Sequence, residues 1–380
     1  MENLEIKNLL GFLAPLFISS VLFYLVLHLS YFCRDAKFCV STWENTKKYR
    51  KSKRWGGLVL GMAVLLSIVF FQNILTGFLL PKDFWSLILG VVILLIGGAW
   101  DDLKNISWVR QLLFQSAAAI IAISVGDTID HVRLPALYQD GTGPGGSVLF
   151  LPPFISAVLA YFWIILVIEA LNWLDGADGL SGSVSFITLL ILGVLGLSSV
   201  VNQPSTTLLC LIIAGVLLGF LFFNFPPAKV YIGSSGIWIL GFLIAVISIY
   251  SGGKVATTAL VLGIPIIDFI FVSLERILAG KLPVFGGDRL HLHERLIDQG
   301  WKPVRIILVF SVLSISLGLG AVLTQTQGKF FLFMPLLVFF LFFAMVYRPR
   351  SLPPSVGFSP SPPLRRTNRR GRTVKRSREK

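Results

Sequence analysis

Long apolar runs separated by short polar stretches dominate this chain. Windows of about 17–25 apolar residues, enough for a helix to cross a bilayer, recur from one end to the other. They predict membrane spans near residues 9–32, 56–80, 84–100, 109–125, 154–172, 181–201, 206–223, 235–251, 254–275, 304–325 and 329–347. The predicted fold is therefore all-α, a polytopic integral membrane helix bundle with about 11 transmembrane helices.

Composition supports the same class. The 380 residues are 55% hydrophobic and only 14% charged, and the mean hydropathy is +0.80, which excludes a soluble globular domain. The first span is too long for a cleaved signal peptide and has no basic flank before it. Three cysteines at unremarkable spacing indicate neither a disulfide framework nor a zinc site.

The basic residues predict the orientation of the bundle. All but five of the 33 lysines and arginines fall on one set of alternate loops, at the adjoining helix edges or in the C-terminal tail. Because loops rich in Lys and Arg stay in the cytosol, this set is expected to be cytosolic. The N-terminus is then outside and the C-terminus inside.

The tail differs in composition from the rest of the chain. Residues 348–380 contain eleven basic residues and one acidic residue, with Pro-Pro pairs and serines. They predict a disordered basic cytosolic tail that anionic membrane lipids attract, following a transmembrane domain over 1–347. No aromatic or fold signal accompanies the charge, so no nucleic-acid partner is expected.

A short polar stretch between two apolar runs is the most informative segment. It reads Asn172-Trp-Leu-Asp175-Gly-Ala-Asp178-Gly179. Unpaired carboxylates at this depth cost several kcal/mol, so a cation or hydrogen-bond donors should face them. Its glycines allow a tight turn or close approach to a ligand. A plain helix-connecting turn is the structural alternative.

Asp101 and Asp102 form a second acidic pair at the mouth of the third span. Adjacent carboxylates repel each other unless a cation lies beside them. Mg²⁺ is commonly held through one or two carboxylates, with waters and substrate phosphates completing its shell. A helix cap is the alternative, since Asp favours helix termini.

Two further loops carry polar residues on the same predicted face. The first contains Asn224, Tyr231 and the sequence Gly233-Ser-Ser-Gly236, whose backbone amides could meet an anion. Tyr231 could stack on a base or anchor the membrane interface.

The second of these loops contains Asp288-Arg289-Leu-His291-Leu-His293-Glu294. Zinc would need further Cys or His ligands, so cations beside imidazoles favour a diphosphate instead. Glu169 and Asp268, inside spans near the cytosolic end, could support this site. On the outer face, turn composition accounts for the longest loop, 126–150, without a ligand.

Taken together and in this order, the motifs resemble the polyprenyl-phosphate N-acetylhexosamine-1-phosphate transferases, glycosyltransferase family 4. The resemblance covers about residues 9–347. The motifs that carry it are Asp101-Asp102, Asn172-x-x-Asp175-Gly-x-Asp178-Gly, Asn224-x-x-x-Ala228-x-x-Tyr231-x-Gly233 and Asp288-Arg-x-His291-x-His293. The His-x-His loop is most similar to the branch that moves GlcNAc-1-phosphate onto undecaprenyl phosphate.

The resemblance implies an enzyme of a bacterial plasma membrane with its active site facing the cytosol. It would move N-acetylhexosamine 1-phosphate, GlcNAc-1-phosphate first among the candidates, from a UDP-sugar to undecaprenyl or another polyprenyl phosphate. UMP would be released and a lipid-linked cell-envelope glycan begun. Mg²⁺ is the expected cofactor, with Mn²⁺ as the alternative ion, and a homodimer is a further expectation.

By the same resemblance, individual residues acquire expected roles. The catalytic residues would be Asp101, Asp102, Asp175 and His293, and the metal ligands Asp101, Asp102, Asn172 and Asp175. The substrate-binding residues would be Asp178, Gly179, Asn224, Tyr231, Asp288, Arg289 and His291. Asp178 and Tyr231 would hold the uracil, and the arginine and histidines the diphosphate or the sugar.

One departure from the family pattern concerns the metal directly. Members usually have a metal-ligating Asp after the glycine of the third motif, where this chain has Ser234. A hydroxyl is a weaker, neutral ligand. Two alternatives therefore stay open: a catalytically weakened relative that binds nucleotide sugar or lipid, and a transporter.

Overall fold

The computed structural model describes residues 2–32, 55–72, 81–133, 148–198, 201–250, 254–280, 290–324 and 326–346. The helices within these ranges are α1 Glu2–Phe32, α2 Gly56–Phe70, α3 Pro81–Lys104, α4 Trp108–Ser124, α5 Pro153–Leu174, α6 Leu180–Leu197, α7 Pro204–Asn224, α8 Gly233–Tyr250, α9 Lys254–Val261, α10 Gly263–Leu278, α11 Leu292–Asp298, α12 Pro303–Leu323 and α13 Thr326–Val346.

The chain is a helical integral membrane protein. Over the described ranges, six helices are long and apolar enough to cross a membrane (α3, α5, α6, α7, α8 and α12), and the bent pair α9–α10 would add a seventh. Apolar segments of α1, α2, α4 and α13 are shorter. On the long apolar helices α5, α7 and α12, the side chains of Phe162, Phe222 and Leu308 lie exposed at the surface, as lipid-facing side chains do. The total of eleven spans and the direction of the termini remain predictions.

Helix α8 forms the centre of the bundle. Almost every side chain from Ser235 to Ile249 is buried, and the helix packs chiefly against α3 and α5. A β-carbon on Gly241 would lie 2.6 Å from the Cα of Ile168, so only glycine permits this helix contact. The Trp163 indole donates to Ser248 Oγ at 2.9 Å across the same contact. The middle and the C-terminal part of α8 are therefore held closely against α5.

The predicted continuous span 254–275 is wrong in one respect. The axis bends by 74° between α9 and α10. Pro265 has no N–H to give the Val261 carbonyl four residues earlier, so the regular ladder is interrupted there. Ser314 Oγ of α12 donates to that carbonyl at 3.0 Å and satisfies it.

One small departure from an all-α fold lies in the loop 126–150. Strands β1, His131–Arg133, and β2, Val148–Phe150, pair antiparallel, with His131 opposite Phe150 and Arg133 opposite Val148. The predicted tail 348–380 lies outside the described residues, so the division into two domains remains a prediction.

Candidate functional site

The two adjacent aspartates at the end of α3 face different partners. Asp102 Oδ1 accepts from the Ser234 backbone N–H at 2.8 Å, and its Oδ2 accepts from the Ser235 N–H at 3.1 Å and from Ser235 Oγ at 2.6 Å. Asp102 is thus an N-terminal cap that α3 supplies to α8. Since the amides of Ser234 and Ser235 donate to this carboxylate, the idea that they await a substrate anion is wrong.

Asp101 is buried, with 5% of its surface exposed, and lies beside neutral donors. Its Oδ1 accepts from the Ile106 N–H at 2.9 Å and from Gln111 Nε2 at 3.0 Å. Its Oδ2 accepts from Ser234 Oγ at 2.5 Å. The Ser234 hydroxyl therefore bonds directly to one of the predicted metal ligands.

Glycines permit this approach of α3 to α8. A β-carbon on Gly98 would lie 2.3 Å from the Cα of Ser235. Gly233 has φ +65°, and a β-carbon there would lie 2.6 Å from Asp102 Oδ1. A side chain at either position would separate Asp102 from the helix that it caps.

The central stretch lies between the end of α5 and the start of α6. Asp175 Oδ1 accepts from Ser181 Oγ at 2.7 Å. Asp178 Oδ2 accepts from the Ala228 N–H at 3.1 Å and so joins this stretch to the loop before α8. Gly179 has φ +72° and occupies the N-cap of α6, where its left-handed backbone turns the chain.

Asn172 and Glu169 connect this stretch with α4. Asn172 Nδ2 donates to Glu169 Oε2 at 3.4 Å, and Gln115 Nε2 donates to Glu169 Oε1 at 2.6 Å. The expectation that Glu169 supports the site agrees with these contacts. Gln115 carried no recognisable signal in the sequence, because an isolated glutamine inside an apolar helix has many structural uses.

Asn224 and Tyr231 flank the loop before α8. Asn224 is only 2% exposed, and its Nδ2 donates to the Val230 carbonyl at 2.8 Å, which closes the loop on itself. Tyr231 is half-buried. This contact accounts for the Asn224 amide nitrogen, while its buried Oδ1 has no partner among the described residues. The predicted substrate contact of Asn224 remains a prediction.

The two histidines are buried. His291 is 8% exposed and His293 is 1% exposed. Asp268 Oδ2 lies 2.9 Å from His291 Nδ1, and Asp268 Oδ1 accepts from the Leu292 N–H at 3.0 Å. A single carboxylate of α10 thus orients one imidazole and caps α11.

The histidine segment packs directly on the central stretch. A β-carbon on Gly176 would lie 1.9 Å from His293 Nε2, so that imidazole rests against the glycine backbone. The rings of His291 and His293 are nearly parallel, with centroids 6.0 Å apart. Two motifs more than 110 residues apart are therefore one assembly. Asp288 and Arg289 lie outside the described residues.

The sequence did not predict the aromatic side chains of this assembly, Trp173 and Phe269. The Trp173 ring lies 4.9 Å from that of His291 and 4.5 Å from that of Phe269, measured between centroids. The guanidinium carbon of Arg276, which is buried, lies 4.5 Å from the Trp173 centroid. Trp173 occupies an unspecified position (x) of the motif Asn172-x-x-Asp175. Its contacts with His291 and with the Arg276 cation are therefore visible only in the tertiary structure.

The described residues do not form a resident metal cage. Nowhere in the described ranges are three His, Cys, Asp or Glu side chains grouped to hold a metal ion. Asp101 and Asp102 already accept hydrogen bonds from neutral groups. The donor set fits Mg²⁺ only as an ion held by one or two carboxylates and completed by water and substrate phosphate. The metal-ligand assignment of Asp101, Asp102, Asn172 and Asp175 remains a prediction.

Comparison with known proteins adds the family. The sequence model described as glycosyl transferase family 4 matches residues 84–252, which include the Asp101–Asp102 pair, the central stretch and the loop before α8. A Bacillus subtilis protein named as a probable undecaprenyl-phosphate N-acetylglucosaminyl 1-phosphate transferase is 28% identical over 72% of this chain and 73% of its own. Over the matched residues, the chain is therefore similar to members of glycosyl transferase family 4.

Further relatives match with similar coverage. A decaprenyl-phosphate N-acetylglucosaminephosphotransferase of Mycobacterium leprae is 25% identical over 67% of this chain and 69% of its own. A phospho-N-acetylmuramoyl-pentapeptide-transferase of Clostridium acetobutylicum is 26% identical over 74% of this chain and 87% of its own. The relatives thus differ in the lipid and in the sugar that their names specify.

Proposed function

We propose that this membrane protein transfers N-acetylhexosamine 1-phosphate, with GlcNAc-1-phosphate as the first candidate, from a UDP-sugar to polyprenyl phosphate. An oxygen of the lipid phosphate attacks the sugar-bearing phosphorus of the UDP-sugar. The bond between the two phosphates of the donor breaks, UMP leaves, and a lipid-linked sugar diphosphate forms. This step would begin a cell-envelope glycan in a bacterial plasma membrane, with the site on the cytosolic face.

The observation that carries the proposal is the assembly of four distant motifs at one end of the bundle. Asp102 bonds to α8 through Ser234 and Ser235, Asp178 bonds to Ala228, and His293 rests on Gly176. The similarity to family 4 and to the named sugar-phosphate transferases supports a sugar-phosphate transfer at this assembly.

The polar groups suit a reaction between two phosphates. His291 and His293, with Arg289 in the adjoining segment, would donate to the diphosphate and hold it for in-line attack. Asp178 and Tyr231 would hold the uracil. Asp101 and Asp175 would lie near the reacting phosphates. Mg²⁺ or Mn²⁺, bound together with the UDP-sugar, would supply electrostatic stabilisation of the charge that develops on the transferred phosphoryl group.

The test is release of UMP by the purified full-length chain in lipid nanodiscs. UDP-GlcNAc and undecaprenyl phosphate are supplied together and separately, and the other UDP-N-acetylhexosamines are assayed in parallel. The proposal expects UMP and a radiolabelled lipid-linked sugar only when donor and acceptor are both present. Uptake of intact UDP-sugar into proteoliposomes without UMP would favour the transporter. Undiminished turnover in excess EDTA would remove the metal from the proposal.

A second candidate rests on the Ser234–Asp101 contact. If the hydroxyl permanently occupies the place of a metal-ligating carboxylate, the chain binds nucleotide sugar or lipid with little turnover. Equilibrium binding of UDP-GlcNAc without UMP release, together with a gain of release in Ser234→Asp, would favour this candidate. Release by the wild type would exclude it.

A further inference from the structure

A polar cavity lies at the end of α3 opposite the candidate site. Asp83 and Asp101 are separated by 18 residues of one helix, which is about 27 Å of helix length. The cavity has a volume of about 330 Å³. We call it the distal cavity, and its polar side chains are Lys82, Asp83, Asp127, Thr128, Asp130, His131 and Tyr250.

One carboxylate of the distal cavity is buried and only partly compensated. Asp127 is 4% exposed, and among the described residues its Oδ2 has no hydrogen-bond partner. Burying an unsatisfied carboxylate oxygen costs a few kcal/mol. Burial and the neighbouring Asp83 carboxylate raise the pKa of Asp127 to about 7, against opposing effects of Lys82 and the Tyr250 hydroxyl. A further positive charge beside Asp127 would therefore stabilise its carboxylate.

The neighbouring polar groups supply only part of that charge. Lys82 Nζ donates to the Val125 carbonyl at 2.6 Å. Thr128 Oγ1 donates to Asp130 Oδ1 at 2.6 Å, and the Tyr250 hydroxyl donates to the Asp83 backbone carbonyl at 3.2 Å. Three aspartates against one lysine leave the cavity with an excess of acid, and His131 adds an imidazole.

Size and lining decide which kind of cation fits. In the described ranges no three carboxylates or imidazoles are grouped to hold a metal ion, which argues against a dehydrated divalent ion. The volume lies in the range of about 300–1,000 Å³ that organic ligands occupy. The apolar part of the lining consists of side chains that include Ile129, Ile249 and Val255. The aromatic ring of Tyr250 can attract an ammonium group by a cation–π interaction.

We propose that the distal cavity binds a primary ammonium group carried on a short organic chain, with Asp127 as its buried counter-ion. Two sources present this chemistry: the headgroup of an aminophospholipid and a free small amine. The exposed indole of Trp85, two residues beyond Asp83, is typical of a helix end at the membrane–water interface, where lipid headgroups lie.

The experiment uses the full chain in nanodiscs of phosphatidylglycerol, to which phosphatidylethanolamine or phosphatidylcholine is added. In a separate arm, ethanolamine is titrated into protein in phosphatidylglycerol alone. Thermal unfolding and native mass spectrometry of retained lipid report binding. The comparison variants are Asp127→Asn and, as matched control, Asp130→Asn, whose carboxylate is exposed and already accepts from Thr128.

We expect phosphatidylethanolamine, ethanolamine or both to raise the unfolding temperature of the wild type, and phosphatidylcholine not to do so. Stabilisation by the lipid alone identifies the headgroup as the source, and stabilisation by ethanolamine alone identifies a soluble amine. Asp127→Asn should weaken binding at least tenfold, and Asp130→Asn less than threefold. Because the Asp127→Asn substitution keeps the shape of the side chain and removes only the unpaired charge, the variant should fold.

Three outcomes would overturn the proposal. The first is no response of the wild type to either amine. The second is an equal response in Asp127→Asn. The third is stabilisation by Mg²⁺ or Ca²⁺ alone that Asp127→Asn abolishes, which would make the cavity a metal site.

Discussion

The carboxylates at the two ends of α3 have opposite surroundings: Asp101 and Asp102 at its C-terminal end are fully paired, and Asp127 beside its N-terminal end is not. At the C-terminal end, Asp102 accepts three hydrogen bonds from the start of α8, and Asp101 accepts three from its own turn, Gln111 and Ser234. At the N-terminal end, Asp83 faces Asp127, one of whose oxygens has no partner among the described residues. A buried carboxylate is stable where a helix N-terminus meets it and costly where none does.

The largest effect is expected from Asp102→Asn. The new amide nitrogen would face donors at Ser235, so we expect a loss of about 1–3 kcal/mol of stability and a fall of about 10²-fold in UMP release. Thermal unfolding and the release assay measure both. Asp127→Asn is the matched comparison at the other end of the bundle and should be neutral or stabilising. Equal destabilisation by both variants would contradict the comparison.

A smaller effect on rate is expected from Asp268→Asn. The variant keeps one acceptor for the Leu292 N–H and loses the carboxylate oxygen at His291 Nδ1, so the imidazole should lose its fixed orientation. We expect kcat to fall about 10-fold to 10²-fold with a smaller change in KM.

The control for Asp268 is Glu275→Gln, on the same helix. Glu275 pairs with Arg295 at 2.9 Å, whereas Asp268 is the carboxylate that pairs with His291. This variant should lower thermal stability without the change in kcat. If Asp268→Asn changes only the unfolding temperature, Asp268 does not position His291.

Ser234→Asp should alter metal affinity by about tenfold. The new carboxylate would lie beside Asp101 Oδ2, where a cation offsets their repulsion, so Mg²⁺ should bind without substrate at least about tenfold more tightly than in the wild type. Isothermal calorimetry without UDP-sugar measures this affinity. Ser234→Ala, which removes the hydroxyl alone, should gain no affinity. Tight binding by the wild type itself would show that the described carboxylates already suffice.

The smallest effect concerns pH. The folded pKa of Asp127 is raised to about 7, above its ordinary value of 3.8, so the folded chain holds a proton that the unfolded chain releases between these pH values. Stability should therefore fall as pH rises from about 4 to about 7, with a slope of at most about 1.4 kcal/mol per pH unit from this group. Asp127→Asn should remove this contribution, as unfolding temperatures across the range would reveal. An unchanged slope would show that Asp127 is not the titrating group.

Local pattern predicted much of the site because motif residues stand out against an apolar background. Asp101, Asp175, Asp178 and the histidines were all conspicuous at helix ends. The helix-cap alternative for the aspartate pair is confirmed for Asp102. Trp173 and Gln115 could not be found, because an indole and an amide in an apolar helix acquire meaning only from neighbours in space.

The sequence by itself determined the membrane class, the approximate helices and the polar motifs at their ends, since hydropathy over a helix length is a local property. Tertiary structure alone decided that adjacent aspartates have different partners, because neighbours on a helix point about 100° apart. It also decided the bend before Pro265, the burial of both histidines and the unpaired oxygen of Asp127. Each of these depends on which groups from distant parts of the chain pack beside a polar group and hydrogen-bond to it. A local sequence pattern does not contain that information.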